Sequence, residues 1–283
     1  MKRSYKEEYQ YWLDSPALGE EEWKELSAIA EDEKEIESRF FAPLEFGTAG
    51  LRGVMATGLN RMNIHVIRWA TQAFAAVIKA EGEEACKKGV VVCYDCRLNS
   101  ERFAREAAGV MAANGIRVRI FDALRPTPEL SFAVMHYGAT AGINITASHN
   151  PREYNGYKVY WSDGAQLPPQ HAAAVAAEMG KLDIFHDVKL MSFEEATASG
   201  LVEVIGAETD EAFLENVMAM SINKSVVEKV ADEFKIVYTP FHGAGYKLVP
   251  EALRRLGVKH LYPEPQQMVI DGNFPTVVSP KPE

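Results

Sequence analysis

The chain has 283 residues, of which 47% are hydrophobic and 25% charged, and it carries a net charge of −10. This composition suits a globular protein of about two domains and excludes a disordered or fibrous chain. The negative balance offers no general attraction for nucleic acid or anionic lipid, so any phosphate ester must be met by locally placed cations. No apolar run approaches the roughly 18 residues of a membrane span. Met1-Lys2-Arg3-Ser4 turns acidic at Glu7 and Glu8 with no apolar stretch behind it, unlike a secretory signal, so a cytoplasmic location is expected. Three cysteines make no disulfide framework. Cys93 and Cys96 form a C-x-x-C, but no second pair follows and Cys93 lies in an apolar run, so a buried structural role is expected.

Residues 1–40 read as helical, with Trp23, Leu26, Ile29 and Ile36 as an apolar stripe laid on a larger body. From Phe41 to Leu59 the glycines at 47, 50, 53 and 58 mark a loop or loop-and-strand segment. A helix follows from about Asn63 to Gly82, then a buried strand from Val90 to Tyr94 and a helix from Ser100 to Asn114. A strand over Ile116–Phe121, a helix over Glu129–Tyr137 and a strand over Ala141–Ile145 continue the alternation. Tyr157–Trp161 reads as an antiparallel edge strand, and 168–205 as a helix and a mixed connection. A second unit starts near Gly206 with a helix, a strand over Lys235–Thr239, a loop and a helix ending at Gly257. The last thirty residues carry Pro263, Pro265, Pro275, Pro280 and Pro282, and the second unit reads as unfinished. Strands alternating with helices predict an α/β sheet covered on both faces, with ligands at the carboxyl ends of the strands.

The chemistry concentrates in Thr146-Ala147-Ser148-His149-Asn150-Pro151, directly after the strand ending at Ile145. A serine on such a loop is placed to act as a nucleophile or phosphate carrier, and His149 beside it can donate to phosphate oxygens. In Asn155-Gly156-Tyr157-Lys158, a reversal through Asn155-Gly156 would return Lys158 towards Ser148. There it would stabilise phosphate charge or move a proton; otherwise it is a surface lysine on a polar hairpin. Phe46-Gly47-Thr48-Ala49-Gly50-Leu51-Arg52-Gly53 lets backbone amides approach an anion, with Arg52 able to grip phosphate. It matches neither the Walker pattern nor a dinucleotide fingerprint.

These two segments together resemble the α-D-phosphohexomutase superfamily, and within it the phosphoglucomutase/phosphopentomutase-like branch with its G-T-A-G-L-R-G loop. The resemblance extends through Tyr154-Asn155-Gly156-Tyr157-Lys158-Val159-Tyr160, Tyr94-Asp95-Cys96-Arg97-Leu98-Asn99-Ser100 and Thr239-Pro240-Phe241-His242-Gly243-Ala244-Gly245, covering about residues 41–283 in order. It implies three-layer α/β/α domains with mixed, mostly parallel sheets: an N-terminal extension over 1–40, a first domain over 41–205 and an incomplete second domain over 206–283. It further implies that Ser148 is the phosphoserine, that Arg52 braces it with Thr48 nearby, and that Lys158 handles the proton of the sugar hydroxyl. His149 and Asn150 would help hold phosphate or substrate. The expected reaction moves phosphate between the 1- and 6-positions of glucose phosphate through a sugar 1,6-bisphosphate. Mg²⁺ is expected on the Ser148 phosphate. Asp95, Arg97 and Ser100 read as scaffold, and His242 as packing or capping.

Family members are about twice this length and carry an Asp-x-Asp-x-Asp-Arg metal loop that does not occur here, so the chain reads as an N-terminal portion with negligible mutase activity by itself. The alternatives are a mutase for mannose, pentose or aminosugar phosphates, a phosphatase using Ser148 as a transient carrier, and a non-catalytic phosphosugar-binding module.

Overall fold

The computed structural model describes residues 3–277; Met1, Lys2 and residues 278–283, with Pro280 and Pro282, lie outside the described residues. At the N-terminus, three short helices replace one long amphipathic helix: α1 (Tyr5–Leu13), α2 (Glu20–Ala28) and α3 (Glu33–Phe40). The first starts at a reciprocal cap, in which the Ser4 hydroxyl accepts from Glu7 N and the Glu7 carboxylate accepts from Ser4 N. Leu26 and Ile36 of the expected stripe are buried, but Trp23 is half exposed. The anchor is Trp12, which is fully buried and packs edge-on against Phe40, His65 and Phe185 at centroid distances of 5.7, 5.6 and 5.1 Å. The misplaced stripe has a simple cause: Asp14-Ser15-Pro16 breaks the first helix, and helical periodicity does not carry across the break.

The larger unit runs β1 (Leu51–Val54), α4 (Ile64–Ala80), α5 (Glu83–Lys88), β2 (Val90–Tyr94), α6 (Ser100–Ala113), β3 (Val118–Phe121), α7 (Thr127–His136), β4 (Ala141–Ile145), β5 (Tyr154–Trp161), α8 (Pro169–Met179), α9 (Phe193–Ala198) and β6 (Val202–Ile205). Its six strands lie in the order β1-β5-β4-β2-β3-β6. The pairings among β4, β2, β3 and β6 are parallel, while β5 runs antiparallel to both β4 and β1. Strand alternation divides the core between two faces. Val90 and Val92 join the large cluster under α4, α6 and α8, while Val91 and Cys93 join Leu130, Ala133 and Val134 of α7. With both faces covered, β2 and β4 are buried throughout, which is why they read as unbroken apolar runs.

Two expectations for this sheet need correction. Tyr157–Trp161 belongs to an inner strand, because β1 pairs along its far side, from Leu51 opposite Tyr157 to Val54 opposite Tyr154. The glycine-rich segment therefore supplies the edge. Residues 168–205 contain α8, α9 and the other edge strand, β6, whose Val-Glu-Val-Ile is too short to stand out by pattern.

A second unit holds α10 (Ala207–Ala219), α11 (Lys224–Val230), β7 (Lys235–Tyr238), a 3₁₀ turn at Ala244–Tyr246, α12 (Leu248–Arg255) and β8 (His260–Pro263). Strands β7 and β8 pair in parallel, so a second strand stands where the sequence suggested one. Val237 on this small sheet is 73% exposed, and Ile222 between α10 and α11 is 92% exposed. His242 is buried, with Nδ1 at 2.8 Å from Val269 O and Nε2 at 2.8 Å from the Thr276 hydroxyl, in a packing role. Among the described residues, no helix is long and apolar enough to cross a membrane.

Because Trp12 of α1 packs against Phe40 of α3 and His65 of α4, Trp12→Ala should cost about 3–5 kcal/mol. The urea unfolding midpoint measures it. Trp23→Ala, at a half-exposed position, should change that midpoint little.

Candidate active site

The segment 146–153 connects β4 to β5 at the carboxyl end of the sheet, and Ser148 stands exposed at its tip. Ser148 has φ 57°, a left-handed conformation uncommon for a residue with a side chain. Both its backbone polar groups are tied. The Thr146 hydroxyl accepts from Ser148 N at 3.0 Å, and Arg97 donates to Ser148 O at 3.0 Å. The same Arg97 guanidinium donates to the carbonyls of Asn150, Pro151 and Tyr154 at 2.6, 2.8 and 3.1 Å, so one buried side chain holds four carbonyls of the turn. Asp95 aims it: its carboxylate lies 3.4 Å from Arg97 Nε and accepts from Arg97 N and the Ser100 hydroxyl. Asn155 then donates to the Ser100 hydroxyl and to Leu98 O, joining β5 to the same frame. Burial pushes the Asp95 carboxyl upward, opposed by hydrogen bonds from Thr146, Arg97 and Ser100.

Sheet register decides what faces Ser148. Lys158 lies opposite Asn144, and Arg52 lies opposite Gly156, two positions from Lys158 on the same strand. Arg52 and Lys158 therefore rise from one face of the sheet as diagonal neighbours. Together with Ser148, Thr146, Gly50 and Glu45 they line a cavity of about 340 Å³. Gly50 has no substitute here: it has φ 77°, and a Cβ would fall 1.9 Å from Tyr157 O. Lys158 is half buried, and its ammonium is held below its ordinary titration range, first by burial and then by the Arg52 cation. Arg52 itself is exposed, with Nη1 3.4 Å from the Asn150 side-chain oxygen.

The predicted site residues are mostly brought together. His149 Nδ1 lies 3.2 Å from the Ser148 hydroxyl, and Asn150 lies against Arg52. Thr48 is exposed and outside the cavity lining. The reversal expected at Asn155-Gly156 occurs instead at 147–153, since Asn155 and Gly156 sit within β5 and pair with Gly53 and Arg52. Lys158 thus reaches the site by strand register and not by a turn.

A second cavity of about 240 Å³ is also lined by Ser148 and Thr146. Asp95, Arg125, Thr127 and Asn144 line it from the larger unit, and Pro240, Phe241 and Phe274 from the smaller one. Sequence reasoning missed Arg125, Thr127 and Asn144. The only available signal was Arg125-Pro126-Thr127-Pro128, a proline-punctuated stretch where the β3–α7 loop enters α7. The smaller unit presses closely here: a Cβ on Gly272 would lie 2.6 Å from Leu98 N, and the Arg97 guanidinium sits 5.4 Å from the Phe274 ring centroid.

The chemistry available is anion handling around an exposed hydroxyl, with one fixed cation and one amine of lowered basicity. The described residues do not fit a Mg²⁺ site by themselves, because they hold no cluster of three or more Asp, Glu, His or Cys able to bind a metal. Asp95, the carboxylate beside Ser148, is already engaged by Arg97 and Ser100.

Two outcomes follow from this geometry. Arg97→Met should cost about 3–5 kcal/mol by urea unfolding, since four carbonyls and Asp95 lose their partner, and should speed amide exchange at Ser148. Lys158 should be acylated at a lower pH than the exposed lysines, and Arg52→Gln should move that midpoint upward, as mapped by mass spectrometry.

Residues 43–184 match the pattern described as phosphoglucomutase/phosphomannomutase, alpha/beta/alpha domain I, and residues 211–283 match domain II of the same family. Human phosphopentomutase is 34% identical over 287 residues, covering 96% of this chain and 45% of that protein. A phosphoglucomutase of Staphylococcus saprophyticus is also 34% identical, over 89% of this chain and 44% of its own length. The chain thus spans a little under half the length of these curated relatives. The solved structure of a putative phosphomannomutase from Thermus thermophilus superposes with a TM-score of 0.66 at 27% identity, over 86% of this chain and 49% of that one. With domains I and II of one family matched in order along the chain, and 34% identity over 96% of it to one relative, the chain belongs to the phosphoglucomutase/phosphomannomutase family.

Proposed function

We propose that Ser148 carries the phosphate exchanged with a sugar monophosphate, in an intramolecular transfer between the 1- and 6-positions of glucose phosphate. The observation that carries this reading is an exposed hydroxyl on a rigidly held turn, at the mouth of a cavity lined by Arg52 and Lys158. In the first step the free sugar hydroxyl attacks the phosphorus on Ser148. A new sugar–oxygen–phosphorus bond forms and the bond to Ser148 Oγ breaks; the hydroxyl proton passes to Lys158 in its amine form, while the exposed Ser148 Oγ takes a proton from solvent. The product is a sugar 1,6-bisphosphate. After it turns over, its other phosphate returns to Ser148 Oγ, which gives up its proton to solvent, and the Lys158 proton goes to the sugar oxygen that leaves. Arg52 meets the charge on the transferring oxygens, with His149 and Asn150 beside it.

Lowered basicity suits Lys158 to this cycle, since it must be free amine in one half and ammonium in the other. The Ser148 phosphate would offer Mg²⁺ oxygen ligands, but the described residues add no carboxylate set around it. Much of the rate in such a reaction comes from orienting the sugar. Three unpaired cysteines support a reducing, cytoplasmic setting. The 34% identity to human phosphopentomutase favours a pentose phosphate as the second reading of the substrate.

Radiolabelled glucose 1,6-bisphosphate should leave its label on the Ser148 peptide, and Ser148→Ala should reduce incorporation to background. The phosphorylated chain should keep its label in buffer and release it to glucose 1-phosphate or ribose 1-phosphate; the faster acceptor identifies the sugar. Rapid loss to water alone would mark a phosphatase instead.

A further inference from the structure

The contact between the two units contains a buried charge cluster that the chemistry at Ser148 does not use. Arg125 follows β3 and is 2% exposed. Its guanidinium grips Asp210 of α10 with two bonds, Nε to Oδ1 at 2.6 Å and Nη2 to Oδ2 at 3.1 Å. Nη2 also donates to Asp122 at 3.0 Å, and Nη1 donates to Leu124 O. Lys247, just before α12, donates to Asp210 Oδ2. Beneath this cluster, on α7, Glu129 is fully buried. Arg125 Nε lies 3.8 Å from it, too far for a hydrogen bond and already directed at Asp210.

Both Glu129 oxygens are buried without a donor. An ionised carboxylate in that position would cost several kcal/mol, and a second carboxylate stands beside it. What the site lacks is one proton. The groups that face Glu129 from its surroundings are Arg125, Asp210, Lys247 and, on β2, the Cys93 thiol. The two cations are drawn to Asp210, and Cys93 donates to Arg125 O, so none of these groups supplies a donor to Glu129.

We propose that Glu129 and Asp210 share one proton at neutral pH, and that this proton seats α10 on α7 and so positions Arg125 in the wall of the Ser148 cavity. Glu129 is then a positioning residue: it touches no reacting atom, and it acts through Asp210 and Arg125. The seat has a neutral neighbour in the Tyr137 hydroxyl, 2.7 Å from that of Thr209, which does not depend on the proton. Burial, and then the neighbouring Asp210, push the Glu129 carboxyl up to about 8. Burial acts upward on Asp210 too, but its hydrogen bonds to Arg125 and Lys247 outweigh it and hold that carboxyl below the ordinary range.

The sign follows. From the ordinary value of 4.5 up to about 8, the folded chain holds a proton on Glu129 that the unfolded chain has released. Folding is therefore weakened as pH rises through this window, by up to about tenfold in the equilibrium constant per pH unit. Above about 8 the proton leaves for solvent, and two buried carboxylates face each other across α7 and α10. This inference does not depend on the phosphotransfer reading, because its test needs no substrate.

Urea unfolding of the whole chain at a series of pH values from 5 to about 9.5, beside Glu129→Gln, is the test. Glutamine keeps the shape and supplies a permanent N–H donor to Asp210. The variant should lose this fall in stability and should match or exceed wild type at the alkaline end. Amide exchange in α10 and at Thr146–Asn150, corrected for intrinsic rates, should rise above pH 8 in wild type and stay flat in Glu129→Gln. The carboxyl carbon resonance of Glu129 in wild type should titrate near 8, and lower in Asp210→Asn. Equal pH slopes in wild type and variant would overturn the proposal, as would a Glu129 carboxyl that titrates in the ordinary range.

Discussion

Everything at the candidate site depends on the Arg97 guanidinium, which is buried and bonded to four carbonyls of one turn. A left-handed serine at the tip of a loop is a costly conformation, and it persists only where its surroundings over-determine it. Here the carbonyl of Ser148 is held by Arg97 and its amide by Thr146, so the hydroxyl projects from a backbone with little freedom. A lysine at position 97 would offer one point charge where a planar fork now serves several acceptors. Asp95, Ser100 and Asn155 form the layer behind: Asp95 pairs with the guanidinium at 3.4 Å and accepts from Arg97 N and the Ser100 hydroxyl, to which Asn155 also donates, and of the three Asp95 stands at the cavity wall.

Against a net charge of −10, the site gathers cations by register. Arg52 and Lys158 come from two adjacent antiparallel strands, and the pleat turns both to the face on which Ser148 projects. Their proximity has a chemical consequence as well as an electrostatic one. Burial and the Arg52 cation disfavour charge on Lys158, and the lysine can respond by releasing its proton. A pair of this kind can both neutralise an anion and move a proton. The smaller unit helps line a second cavity beside Ser148 with Pro240 and Phe274. The two units are therefore joined at the site itself, through Gly272 against Leu98 and through Arg125 against Asp210.

How much of this was legible depended on whether a feature is local. The strands β2 and β4, the helices between them and the Ser148 loop could be read because an unbroken apolar run followed by a polar motif is a short-range signal. The glycine-rich segment was recognised as functional, yet its pairing with β5 was not, since nothing in Leu51–Val54 names its partner. Trp12 was passed over for Trp23 because burial depends on what lies above a helix, and a helical stripe cannot register that.

By itself the sequence determined the alternation of strands and helices, the position of the serine at a strand's carboxyl end, and the identity of the cations near it. Those follow from hydrophobic periodicity and residue chemistry over a few neighbouring positions. The tertiary structure alone decided that Lys158 arrives by strand register, that Thr48 stays outside the cavity, and that Arg97 clamps a turn more than fifty residues away. It alone set Glu129 beside Asp210, eighty-one positions apart, with a single guanidinium between them. Such facts rest on distance and burial, which arise only when separate segments pack, and no window of sequence contains them.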